Sequence, residues 1–278
     1  MRLTLWLRMG AVAFGMGSFF IALTQQPALT VEKIADDLHV IVGSGGNVAV
    51  LTTDEGMILV DDKFEKDVSE ILTKVKAISS KPVRYIINTH HHGDHTGGNK
   101  KMMDMVPGLE MIQHKNAREK MVAGKMPGIP RITFSSEFAI HLGGKEVRAF
   151  YNGRGHTNGD IAVFFPAHRV LHMGDMFNTG GPFIDYSGGG SGVAWTTSIY
   201  NALKTDADIV IPGHGPISKK SDLAAWNANF EKMRNRLVLL KKQGKSKEAA
   251  IAAIQLDDLG WGVPGLKQRA LPGLYDEI

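Results

Sequence analysis

The segment Asn88-Thr89-His90-His91-His92-Gly93-Asp94-His95-Thr96-Gly97-Gly98-Asn99 decides how the rest of the chain is read. It follows directly on Val83-Arg84-Tyr85-Ile86-Ile87, a run that reads as a buried strand. Four metal-competent side chains, His90, His92, Asp94 and His95, fall within six residues, where a strand ends and a helix is about to begin. Neutral imidazole and carboxylate are the nitrogen and oxygen ligands that zinc takes. Side chains alternate with period two at a strand end, so His90 and His92 point to one side and can chelate one ion together. Asp94 and His95 lie past Gly93, where the chain turns, within reach of a second ion. The alternative reading of these residues alone is a solvated histidine-rich loop.

Working outward, three further segments place a single histidine or aspartate, flanked by glycine, just beyond a strand. They are Gly155-His156-Thr157-Asn158-Gly159-Asp160, Gly174-Asp175 and Pro212-Gly213-His214-Gly215-Pro216. The carboxyl ends of strands are where α/β sheets keep their sites. His39 and His172 fall within strands, and His114, His141 and His168 flank strands without ligand neighbours. His91 alternates away from His90 and His92. None of these is assigned to metal.

Strands are expected at 38–42, 47–52, 57–60, 83–88, 109–113, 138–142, 146–151, 161–165, 170–173 and 209–211. Helices are expected at 64–78, where Val68, Ile71, Leu72 and Val75 recur at helical spacing, after Gly98, at 116–122, at about 193–204, and over most of the chain from Ser221. Residues 123–131, with Pro127, Gly128 and Pro130, read as a loop. Strands and helices alternate in two stretches, which gives an α/β layered fold. No linker marks a second domain.

The pattern resembles the metallo-β-lactamase superfamily. Its H-x-H-x-D-H motif is met by His90, His92, Asp94 and His95, and its later single ligands match His156, Asp175 and His214 in order, over about residues 34–214. The resemblance implies a four-layer αββα sandwich with the site at one edge of the sheets. It implies one metal held by His90, His92 and His156, another by Asp94, His95 and His214, and Asp175 between them. Asp61 matches a buried supporting acid, and Asp160 is placed to hold a ligand histidine from behind. The cysteine-containing subclass of the β-lactamases has a thiolate where this chain has Asp175. A bridging aspartate looks more like glyoxalase II, the lactonases and the phosphodiesterase branches.

The chemistry this implies is hydrolysis with two Zn(2+) per chain, iron or manganese being the other candidates. Paired ions lower the pKa of a shared water to about 7, and the resulting hydroxide attacks a carbonyl-type centre. Asp94 is expected to orient that nucleophile or carry a proton. Tyr186 is a candidate donor to the developing oxyanion, with Phe183 and Trp195 as apolar wall. Ser187 and Ser191 have no base nearby in sequence, so covalent catalysis is not expected.

Composition sets the remaining bounds. The 278 residues carry a formal charge of +4 and no cysteine, which excludes disulfides and a thiolate nucleophile. Arg2 and Arg8 precede an uncharged apolar stretch from Met9 to Leu23, the pattern of a secretory signal over 1–24, leaving 25–278 as the hydrolase domain with a helical C-terminal segment. Without those two arginines the charge falls to +2, too little to suggest nucleic acid. The basic run Lys232, Arg234, Arg236, Lys241, Lys242, Lys245 and Lys247 reads as the wet face of a helix. The expected protein is therefore periplasmic or secreted, or membrane-anchored if the leader is uncleaved, and acts on a small molecule. A β-lactam-like ring leads the substrates, followed by a lactone, a thioester or a phosphodiester; a mononuclear iron dioxygenase is the competing chemistry.

Overall fold

Runs of β-branched and apolar residues, cut by glycine and aspartate turns, build two mixed sheets. The computed structural model describes residues 28–262 and 265–278; the expected leader, 1–24, lies outside the described residues. β1 (Thr30–Lys33), β2 (Leu38–Val42), β3 (Val48–Thr52) and β4 (Met57–Val60) form an antiparallel meander. β5 (Val83–Asn88), β6 (Glu110–His114) and β7 (Ile132–Phe134) extend it in parallel, with α4 (Lys115–Ala123) between β6 and β7, completing a seven-stranded sheet in chain order. The second sheet has six strands. β8 (Glu137–Leu142), β9 (Lys145–Phe150), β10 (Ala162–Phe165) and β11 (Val170–His172) are antiparallel; β12 (Ile209–Ile211) joins β11 in parallel, and β13 (Ser218–Lys219) forms the edge.

The pleat sorts each strand's side chains into two cores. Ala49 and Leu51 of β3 point into the space between the sheets, with Val40, Ile58 and Val60, and meet Val147, Ala149, Val163 and Phe165 of the other sheet. Val48 and Val50 point outward, against Val68, Ile71 and Val75 of α1 (Val68–Ile78) and Met102 of α3 (Asn99–Met105). Strands covered on both faces carry apolar residues at every position, which is why 57–60 and 48–51 read as unbroken runs. Each such Val, Leu or Ile contributes about 1.5–3 kcal/mol by leaving water.

The outer face of the second sheet lies under α5 (Gly192–Ala202), α6 (Lys220–Lys242) and α8 (Leu266–Glu277), with the short α7 (Lys247–Ala253) beside them. Phe164, Leu171 and Val210 meet Trp195, Ile199, Trp226, Phe230, Leu271 and Leu274 in that core. The layers run α, β, β, α, as the resemblance implies.

Three details depart from the sequence reading. β1 has no alternating pattern, because all four of its residues are exposed and it is held by backbone pairing to β2. β7 is three residues long and follows a Pro- and Gly-rich loop whose turn chemistry conceals it. The basic run in and after α6 is more than a wet face. Arg234 donates to Val193 O and Thr196 Oγ1, Arg236 forks onto Asp258 at 2.6 Å, and Lys241 reaches the carbonyl of Tyr275 at 2.8 Å. These cations strut the helical layer. Among the described residues no helix is long and apolar enough to cross a membrane.

Candidate metal centre

Loops at the carboxyl ends of β4, β5, β11 and β12, with the loop between β9 and β10, meet at one edge of the sandwich. β5 delivers His90 and His92; α2 (Gly93–Thr96) turns the chain so that Asp94 and His95 follow on its first turn. The three later segments bring His156, Asp175 and His214. The structure gathers six of the seven residues into two groups, His90–His92–His156 and Asp94–His95–His214, each with donor atoms within 4.8 Å of one another. Asp175 stands between. Its Oδ1 lies 3.2 Å from His95 Nε2 and 3.3 Å from His214 Nε2, while its Oδ2 faces His156 Nε2 at 3.6 Å.

Each buried histidine has one nitrogen committed and the other turned to the centre. His156 Nδ1 donates to Phe183 O at 2.6 Å, leaving Nε2 for the cluster. His95 Nδ1 donates to Asp61 Oδ2 at 2.7 Å. His90 Nδ1 lies 3.1 Å from Thr89 Oγ1, whose own hydrogen goes to Asp61 Oδ2. His92 is reversed: its Nε2 faces Asp185 Oδ2 at 2.9 Å and its Nδ1 faces the cluster. A hydrogen bond on one ring nitrogen sets the tautomer and aims the other lone pair.

The consequence is a crowd of lone pairs without hydrogens to share. His92 Nδ1 and His156 Nε2 stand 2.8 Å apart, and His90 Nε2 is buried with no partner at all. An unpaired buried nitrogen costs about 1–3 kcal/mol. Cations coordinated by nitrogen and oxygen remove that cost, so the donor set fits metal and fits water poorly.

The electrostatics follow from the same crowding. Burial, then the neighbouring His95 and His156, hold His90 well below the usual imidazole range. Burial pulls His214 down, but its hydrogen bonds to Asp175 and Asp94 outweigh it and raise its pKa to about 9. Burial also opposes ionisation of Asp175, yet His95 and His214 hold its carboxyl well below the ordinary range. Protons and metal cations therefore compete for the second group, because coordination needs the neutral imidazole and the ionised carboxylate.

Two glycines let the backbone approach this closely. A Cβ on Gly46 would lie 2.2 Å from the His95 ring, and one on Gly213 would lie 2.0 Å from Asp175 Oδ1. Asp61 sits behind the centre in a left-handed conformation, φ 65°, accepting from Thr89 N, Thr89 Oγ1 and His95 Nδ1. It supports His95 directly and His90 through Thr89. Asp160 does not reach a histidine; it takes the Thr157 amide and hydroxyl and so braces the loop that carries His156.

Tyr186 is not brought to the centre. Its hydroxyl donates to Glu277 at 2.9 Å, and burial together with the Glu277 charge raises its pKa, so the expected oxyanion role has no geometric support. Trp195 is fully buried in the helical core and donates its indole N–H to Met176 O. Phe183 does line the cleft. That cleft, about 350 Å³, is also bordered by His92, Asp94, Asp175, Asn178, Gly180, Gly181, His214 and Arg269. His91 lies outside both triads but is not remote from them: it stands 3.9 Å from Asp185, and with His92 and Asp185 it forms a further group whose donor atoms lie within 4.8 Å of one another. Sequence reasoning missed Asp185 and Arg269. Asp185 lies in a Gly/Ser-rich loop without a local motif, and Arg269 comes from α8, far along the chain.

Two clusters of histidine and aspartate at one edge of an αββα sandwich define a metal-binding hydrolase. The sequence model of the metallo-beta-lactamase superfamily matches residues 41–214. "Metallo-beta-lactamase type 2" of Bacillus cereus is 30% identical over 188 residues, 63% of this chain and 68% of that protein. "Hydroxyacylglutathione hydrolase" of Crocosphaera subtropica is 36% identical over 92 residues, 33% of each chain. Among solved structures, a metallo-beta-lactamase from Pontibacter korlensis superposes with a TM-score of 0.66 at 22% identity, covering 73% of this chain and 99% of that one. The chain belongs to the metallo-β-lactamase superfamily and is a β-lactamase-like hydrolase with His/Asp metal-binding groups.

Proposed function

We propose that the protein is exported, binds two zinc ions, and hydrolyses a small carbonyl substrate that carries a negative charge, a β-lactam-like ring leading. The observation that carries this is the division of six donors into two groups with Asp175, the seventh, facing both. His90, His92 and His156 would hold one ion, and Asp94, His95 and His214 the other. Ions there would supply Lewis-acid polarisation of a carbonyl oxygen and acidify water to a pKa of about 7.

The chain's own residues do the rest. Asp94, partly open to the cleft, is placed to orient a water and to take up or pass a proton. Arg269 is the one cation lining the cleft and has no acidic partner among the described residues, so an anionic group is favoured there. A β-lactam with its ring carboxylate meets both requirements, and relatives named as metallo-beta-lactamases support that reading. A thioester of an anionic thiol is the second reading, supported by Asp175 between the groups and by the match to a hydroxyacylglutathione hydrolase. Lactones and phosphodiesters rank behind these.

The test is to load the chain from residue 25 with zinc and assay nitrocefin, S-lactoylglutathione, an acyl-homoserine lactone and bis-p-nitrophenyl phosphate. Turnover of nitrocefin, lost with EDTA and in His92→Ala, is expected. Activity that survives His92→Ala, or one iron per chain with dioxygen uptake, would overturn the hydrolytic reading.

A further inference from the structure

We propose that Glu277, on the last turn of α8, is a positioning residue for the metal centre, acting through the loop 180–191; this rests on the reading of the centre given above. The family match ends at His214, so this support comes from a helix outside the matched stretch. The Glu277 carboxylate accepts from Tyr186 Oη at 2.9 Å and from the amides of Gly192 and Val193 at 2.8 and 3.3 Å, and it also takes the Ser191 hydroxyl. Four donors converge on one side chain. Tyr186 and Ser191 belong to the loop and Gly192 and Val193 to the first turn of α5, where a negative charge also complements the helix dipole.

That loop holds the outer nitrogens of two proposed ligands. Phe183 O takes the His156 Nδ1 hydrogen, and Asp185 Oδ2 takes that of His92 Nε2. Asp185 N also donates to His156 O, and Ser191 N donates to Gly155 O, so the loop is tied to the ligand segment at both places. The C-terminal part of the chain secures the loop again by packing. The Tyr186 ring lies over Gly273, where a Cβ would come within 2.1 Å, and Trp261 lies against Gly181. Glu277 is therefore two hydrogen bonds, joined through the loop backbone, from the outer nitrogens of two histidines proposed to share one ion site, and lies outside the cleft.

Outer partners of metal-binding histidines are worth roughly 10–100-fold in affinity, so a residue one step further out is expected to be worth about tenfold. The experiment measures zinc affinity by chelator competition in wild type, Glu277→Ala, Glu277→Gln and, as a control, Val147→Ala, a core substitution between the sheets. Folding of each is checked by thermal melting. The expected result is about tenfold weaker binding of one zinc in Glu277→Ala, a smaller loss in Glu277→Gln, and wild-type affinity in Val147→Ala despite its lower melting temperature. Should Glu277→Ala fail to fold, Tyr186→Phe, which removes one of the four donors, is expected to weaken the same zinc about twofold. Unchanged affinity in the folded Glu277 variants, or an equal loss in Val147→Ala, would overturn this inference alone. A wild-type chain that takes up no zinc would overturn the reading of the centre and the inference together.

Discussion

Replacing Asp61 by asparagine changes one oxygen to an NH2 group at a fully buried position and alters which nitrogen of His95 is free. The carboxylate accepts three hydrogen bonds, from Thr89 N at 2.7 Å, Thr89 Oγ1 at 2.8 Å and His95 Nδ1 at 2.7 Å. Asparagine keeps one acceptor, which the Thr89 amide occupies. Its NH2 then meets His95 Nδ1–H donor to donor. The ring relieves the clash by moving its proton to Nε2, which removes the lone pair facing Asp94 and His214. Hydrogen bonds to a charged group are worth about 1.5–3 kcal/mol each, and His95 forfeits one of these whichever tautomer it adopts. The loss converts to about 10–100-fold in zinc affinity at that group, the range seen for outer partners of metal-binding histidines. The asparagine also tolerates the left-handed backbone at φ 65°, so the fold is expected to survive. Chelator-competition titration reads the affinity, and circular dichroism checks the fold. Binding of both zinc ions within twofold of wild type would refute the tautomer argument.

Other perturbations follow from the same geometry. Gly46→Ala drives a methyl group to within 2.2 Å of the His95 ring, so zinc uptake should fall by more than tenfold at pH 7.5 in metal titration; a wild-type isotherm would contradict it. Lys63 is fully buried, and burial lowers its pKa from 10.5 to about 8 against the pull of Asp67, Asp61 and Asp94. Between those two values the unfolded chain holds a proton that the folded chain has released, so stability rises with pH there. Below about 8 both states are charged and the term is constant. Wild type should therefore gain on Lys63→Met by on the order of 1–3 kcal/mol from pH 8 to 10.5 in urea unfolding, and a gap that narrows would be the wrong sign. Arg269→Ala should raise KM roughly tenfold for an anionic substrate and leave a neutral lactone unchanged; equal effects on both would remove Arg269 from recognition.

The fold and the clustering of the candidate donor residues were legible in the sequence for a simple physical reason. Strands buried on both faces carry apolar residues at every position, and ligands at strand ends sit beside glycines that allow close approach. His92, Asp94, His156 and His214 adjoin a glycine, and His90 and His95 stand within the same short motif. Asp185 and Glu277 do not, because a support acts through a partner far along the chain and needs no neighbourhood of its own. Tyr186 misled for the same reason. Its position in a Gly-rich loop suggested access to substrate, but a tertiary contact with α8 claims its hydroxyl. β1 escaped because an exposed edge strand needs no apolar face, and the basic run of α6, on the wet face as read, hid its ion pairs because their partners lie far along the chain.

The most direct test of the central claim is a crystal of the chain grown with excess zinc and measured across the zinc absorption edge. Two anomalous peaks are predicted, one among His90, His92 and His156 and one among Asp94, His95 and His214, with Asp175 contacting both. No peak in this cleft, or a single one that leaves either triad pointing into solvent, would contradict it.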